Sequence, residues 1–221
     1  MYHFEYVSKE EWKPVKDNLL KIIRSLQKEV RDDFTFQYSF VGSSSRNMIT
    51  YDKRSNIGFD FDVNIEVNVP DEKYSANEIR NIIRSKLNAV IYSFDNSSWR
   101  NTIPNYDDAE DSTCVITIKV KDKPNSRILH SCDFCIVRNC SDGRKQYIRF
   151  NKKQNYYSWE LQPKGYYKLQ EKIEWIKNEN LWQKVRDCYI EKKNRNDTHK
   201  KSRSIFAEAV HEVCQRNGYY R

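Results

Sequence analysis

Behind a capping box formed by Ser8 and Glu11, Trp12, Val15, Leu19, Ile22, Ile23, Leu26 and Val30 recur at helical spacing. That periodicity predicts a helix over about residues 9–30. The segment FTFQYSFVG then alternates and ends at Gly42, as a strand would, with a short helix expected from Ser43 onward. FDFDVNIEVNV alternates more regularly still. Phe59, Phe61, Val63, Ile65, Val67 and Val69 fall on one face, and Asp60, Asp62, Asn64, Glu66 and Asn68 on the other. A second capping box, Ser75 and Glu78, opens a helix with the stripe Ile79, Ile82, Ile83, Leu87, Val90, Ile91 and Phe94.

NTIPNYDDAED reads as a polar loop. CVITIKV and RILHSCDFCIV are two further strands separated by the turn KDKPNS, and RKQYIRF, after Asp142-Gly143, adds an edge strand. From about Gly165 the pattern is helical, over 166–177, 181–193 and 199–216, stopping at Asn217-Gly218. The expected class is α+β: a mixed β-sheet core flanked by helices over residues 1–160, then a C-terminal helical region over 161–221. No internal repeat is visible.

With 221 residues, 38% hydrophobic and 14% aromatic, the chain can build a core despite 32% charged residues. The net charge of +8 favours polyanionic partners such as nucleotides, although the lysines are scattered as on an ordinary solvated surface. The opening MYHFEYVSKEEWK has no apolar signal region, and no run approaches about 18 apolar residues, so no membrane partner is expected. A cytoplasmic location and six reduced cysteines follow from that reading.

Two features bring in chemistry. Alternation puts Asp60 and Asp62 on one strand face, where like charges repel unless a cation neutralises them. Hard carboxylate oxygens suit Mg²⁺, which shares its remaining positions with phosphates. Upstream, Gly42 permits a tight turn, and Ser43, Ser44 and Ser45 offer hydroxyls beside backbone N–H groups at a helix start, a setting that favours anions.

The pair of features resembles the DNA polymerase β-like nucleotidyltransferase superfamily. Val41-Gly42-Ser43 and Asp60-Phe61-Asp62-Val63 match its apolar-Gly-Ser and Asp-apolar-Asp-apolar elements, and HSCDFCIV supplies the later carboxylate, Asp133. The resemblance implies an α+β nucleotidyltransferase core and transfer of a nucleoside monophosphate from a nucleoside triphosphate to a hydroxyl acceptor, with loss of pyrophosphate. It implies two Mg²⁺ ions (Mn²⁺ can replace them) held by Asp60, Asp62 and Asp133, with Asp133 as base. Gly42 and Ser43 would hold the β- and γ-phosphates, with Ser44 and Arg46 beside them. The 16 residues between Ser43 and Asp60 exceed the family's usual spacer, and TYDKRSNIG reads as an added loop.

Three further segments are candidates. In CDFC, a strand would point Cys132 and Cys135 to opposite faces, which spoils a shared zinc or redox site with His130 and Cys140. In NYYSWELQP, Tyr157 is a candidate for stacking on a nucleobase, with core packing as the alternative. In DTHKKSRSIF, Lys201 is the candidate for the triphosphate, while Lys192, Lys193 and Arg195 could extend a nucleic-acid surface. Two competing functions are a glycosyltransferase, which needs neither the Gly-Ser turn nor Asp133, and a silent nucleic-acid- or partner-binding module on the same fold. The acceptor (small molecule, RNA, protein or second nucleotide) and the oligomeric state are open.

Overall fold

The computed structural model describes residues 2–52, 54–70, 73–95 and 104–219. The chain divides into two compact units, Val7–Ile49 with Asn56–Gln162, and Met1–Tyr6 with Thr50–Ser55 and Pro163–Arg221.

The larger unit begins with helix α1 (Lys9–Glu29), whose Ser8–Glu11 capping box forms as expected and whose Leu19, Ile22, Ile23 and Leu26 are buried. Strand β2 (Thr35–Val41) follows, then β4 (Ile57–Asn68), helix α2 (Ala76–Asp95) and strands β5 (Glu110–Asp111), β6 (Ile116–Asp122), β7 (Arg127–Asn139), β8 (Lys145–Asn151) and β9 (Tyr156–Leu161). The main strand order is β2-β4-β7-β6-β5, with β8 pairing the far end of β7 and β9 pairing β8. β4 and β7 run parallel; the other pairs are antiparallel. The mixed sheet with flanking helices is the expected α+β class.

Alternation divides the sheet cleanly. Phe61, Val63, Ile65 and Val67 of β4 and Cys132, Phe134 and Ile136 of β7 are buried on one face. Lys16 of α1 lies over Phe40 of β2, and Arg80 of α2 over Tyr157 of β9, so both helices cover that apolar face. The opposite face carries Asp60, Asp62, Asn64 and Glu66.

The smaller unit holds β1 (Phe4–Tyr6) paired antiparallel with β3 (Thr50–Asp52), and helices α3 (Leu169–Asn178), α4 (Trp182–Asn194) and α5 (Ser202–Arg216). Its core includes Ile176, Val185, Tyr189, Ile205, Phe206, Val210 and Val213. Asn194 brackets β1, accepting from the Phe4 N–H at 2.6 Å and donating to the Phe4 carbonyl at 3.1 Å.

Five expectations need correction. The helix after Ser43 is a single 3-10 turn, Ser44–Arg46. Part of the expected loop TYDKRSNIG is strand β3, which accounts for the long spacer; Lys53 lies outside the described residues. The loop over 101–111 ends in β5, and its residues 101–103 also lie outside. YYSWEL is a strand. Helices α3 and α5 start three residues late because Lys168 (φ 49°) and His199 (φ 53°) are left-handed, which a right-handed helix does not tolerate. All six cysteines are free thiols. Among the described residues, no helix is long and apolar enough to cross a membrane.

Candidate active site

The parallel register of β4 and β7 sets Asp60 opposite Ser131 and Asp62 opposite Asp133. Paired residues share a face, so three carboxylates converge from two neighbouring strands. One oxygen from each of Asp60, Asp62 and Asp133 lies within 4.8 Å of the others, and all three residues are half-buried.

Two hydroxyls hold this cluster. Ser131 donates to Asp60 Oδ1 at 2.8 Å, and Thr117 of β6, opposite Asp133 in the antiparallel register, donates to Asp133 Oδ1 at 2.5 Å. Burial pushes the Asp60 carboxyl up to about 7, and the charges of Asp133 and Asp62 add to this against the Ser131 hydrogen bond. Burial and then Asp133 also raise Asp62, while Arg46 opposes them. Asp133 is raised by burial and drawn back by Thr117 and Lys119. Three hard, partly desolvated carboxylates that resist charging together fit a divalent cation.

The turn after β2 reaches the same cluster. Gly42 has φ +64°, and a Cβ there would sit 3.0 Å from Asp62 Cγ and closer still to its Oδ2. Only glycine allows both the left-handed backbone and that approach. The Ser43 carbonyl accepts from the N–H groups of Arg46 and Met48. Ser43 itself makes no side-chain cap and is half-buried.

Ser44 is buried, and its hydroxyl donates to the Val41 carbonyl at 2.9 Å; Ser45 likewise bonds the Gly42 carbonyl at 3.0 Å. These two hydroxyls hold the turn. A three-residue turn also has little macrodipole with which to attract an anion.

For Tyr157 the structure shows the core-packing alternative. Through Phe150 opposite it and Ile148 beside Trp159, it belongs to the apolar face, away from the carboxylates. Its ring lies 4.5 Å from the Arg80 guanidinium and 5.0 Å from Phe150, so core packing holds it. Arg80 is fully buried, bonding Asp111 and the carbonyls of Ser112 and Val115.

Cys132 is buried on the apolar face and Cys135 faces the carboxylate side opposite Asn64, as the strand reading expects. His130 is buried, 3.1 Å from the Tyr106 hydroxyl and stacked on Phe59.

In the smaller unit Lys201 is exposed at the start of α5. Lys192, Arg195 and Lys200 are each paired with a carboxylate, at 2.6 Å (Glu212), 2.9 Å (Glu191) and 2.7 Å (Glu208). Lys193 is drawn inward onto the Phe4 ring and Thr50. These residues do not form an open cationic stripe for a polyanion.

The sequence reading missed Ser131 and Thr117. Both belong to alternating strands and share a period with Asp133 or Lys119. Only the strand registers reveal which carboxylate each hydroxyl meets.

No protein-family model matches the chain, and no curated protein does. Solved structures do. A STING-associated CdnE c-di-GMP synthase from Capnocytophaga granulosa is similar at 16% identity and TM-score 0.57, over 96% of this chain and 62% of that one. GTP-bound DncV from Vibrio cholerae is similar at 12% and 0.56, over 94% and 52%. The 3'-deoxy-GTP-bound DncV from Escherichia coli is similar at 13% and 0.52, over 94% and 54%. The chain thus spans about half to three-fifths of the length of these structures. Its fold is that of the DNA polymerase β-like nucleotidyltransferases.

Proposed function

We propose that this chain transfers a nucleoside monophosphate from a nucleoside triphosphate to a hydroxyl acceptor and releases pyrophosphate. The convergence of Asp60, Asp62 and Asp133 within 4.8 Å, beneath the Gly42 turn, carries the reading. The similar structures with bound nucleotides support it.

Asp60, Asp62 and Asp133 would hold the divalent ions, Mg²⁺ or Mn²⁺. Bound there, such ions supply charge neutralisation for the triphosphate and acidify the attacking hydroxyl. Gly42 and Ser43 receive the β- and γ-phosphates, since the turn brings backbone to Asp62 without a side chain between. Arg46 adds positive charge near Asp62. Asp133 takes the acceptor's proton. The acceptor oxygen then bonds to the α-phosphorus, the bond from that phosphorus to the bridging oxygen breaks, and pyrophosphate leaves. Thr117 and Lys119 stand beside Asp133.

The test is incubation with each α-³²P-labelled nucleoside triphosphate and Mg²⁺, comparing wild type with Asp60→Ala and Asp62→Ala. Label transfer and pyrophosphate release in wild type, lost in both variants, are expected. Salt-dependent nucleic-acid binding with no nucleotide binding or turnover would replace this reading with the silent module.

A further inference from the structure

We propose that Ser131 and Thr117 are positioning residues that aim two of the three carboxylates at the bound cation. The inference rests on the metal-dependent reading of the same site.

Each hydroxyl comes from the strand position directly opposite its carboxylate, on the same sheet face. Each bonds the same kind of atom, one Oδ1, at 2.8 Å for Ser131–Asp60 and 2.5 Å for Thr117–Asp133. A hydroxyl can serve a carboxylate only by donating, so each bond restrains the carboxyl group through Oδ1 and leaves Oδ2 available to a cation. Without that donor, a short aspartate crowded by two like charges turns away from its neighbours. Ser131 and Thr117 therefore oppose the repulsion built into the cluster. They hold the oxygens in a ligating arrangement before any cation arrives.

Asp62 lies differently, against the Gly42 backbone where a Cβ would overlap its Oδ2, and near the charge of Arg46. Two carboxylates are thus oriented by hydroxyls on β7 and β6, while the third lies against the β2 turn. Partners of metal ligands that act this way typically contribute about 10–100-fold to metal affinity.

The experiment measures Mn²⁺ binding by the full chain, using the free-Mn²⁺ electron paramagnetic resonance signal, alongside urea unfolding of the metal-free protein. Thr117→Val keeps shape and strand propensity while deleting the donor. Thr117→Ser restores the donor on a smaller side chain, and Ser131→Ala and Ser131→Thr form the matching pair. Thr117→Val and Ser131→Ala are expected to weaken Mn²⁺ binding by about tenfold or more. The hydroxyl-bearing replacements should return to within about threefold of wild type.

A purely structural role would instead lower metal-free stability and leave Mn²⁺ affinity alone, which overturns the inference. So would Thr117→Ser binding as weakly as Thr117→Val, because shape would then be the operative property. If wild type binds Mn²⁺ and nucleotide but no hydroxyl variant differs from it, the positioning role fails and the function stands. If wild type binds neither, both fail.

Discussion

Replacing Gly42 with alanine tests whether the turn after β2 is built around Asp62, and Gly143 supplies the control. Both glycines have left-handed backbones, φ +64° and +77°. A Cβ on Gly143 would meet nothing within 4 Å, whereas one on Gly42 would run into the Asp62 carboxyl. A left-handed L-residue costs about 1–2 kcal/mol, so Gly143→Ala should lose about that much and nothing else. Gly42→Ala pays the same conformational cost and must also push Asp62 or the turn aside. It should therefore be less stable than Gly143→Ala by at least about 1 kcal/mol, the usual scale of overpacking. Displacing one of the three proposed ligands should further weaken Mn²⁺ binding by at least about tenfold, equivalent to 1.4 kcal/mol. Urea titrations give the first quantity and Mn²⁺ titrations the second. Equal stability loss in the two variants, with Mn²⁺ affinity intact in both, would refute the reasoning that the close approach serves the site.

Other expectations follow from the charges. The Asp60 carboxyl is raised in the fold from the usual 3.8 to about 7, so the metal-free fold binds a proton that the unfolded chain has lost. Its stability contribution is full below the unfolded value and falls, on the order of 4 kcal/mol, as pH climbs through about 7. Melting curves should show metal-free stability dropping from pH 5 to 8, Mg²⁺ restoring it mainly at pH 8, and Asp60→Asn flattening both trends; a Mg²⁺ effect equal at both pH values would count against it. Lys193 shifts the other way, held near 8 by burial. Stability should therefore rise as pH increases from about 8 toward the ordinary lysine value, and Lys193→Met should abolish that rise in the same assay. Arg80→Leu removes a fully buried guanidinium from Asp111 and two carbonyls and should cost about 3 kcal/mol in urea unfolding, with little change in Mn²⁺ affinity.

The sheet was legible where side-chain alternation was strong. β4 advertises itself because six apolar and five polar positions alternate without interruption, and both capping boxes mark their helices. β1 and β3 are three residues each, too short for any period to register, and they are paired across more than 40 residues of chain. The carboxylates were visible because Asp-x-Asp states its own geometry. Ser131 and Thr117 were not, because a hydroxyl acquires a role only when register puts it opposite a charge. Tyr157 was left between two readings for the same reason: without the β8–β9 pairing, nothing says which face the ring takes. Arg80 fell in the middle of an apolar stripe, where the helical period assigns a position to the core and charge alone argues for exposure.

The distribution of local conflicts argues for the site independently of motif. Natural chains satisfy local rules except where something else is selected, and each exception must be stabilised by its surroundings. The buried Arg80 is such an exception, and the structure compensates most of it with Asp111, two carbonyls and an aromatic face. Around Asp60, Asp62 and Asp133 the exceptions accumulate, and the charges of Arg46 and Lys119 offset them only in part. Like charges sit on adjacent strands, all three carboxyls resist ionisation, and a left-handed glycine brings backbone against one of them. The hydroxyls of Ser131 and Thr117 offset only part of that cost, because they add no positive charge. A positive charge delivered from outside the chain would relieve the like-charge repulsion among the three carboxylates, which is what the proposed function supplies.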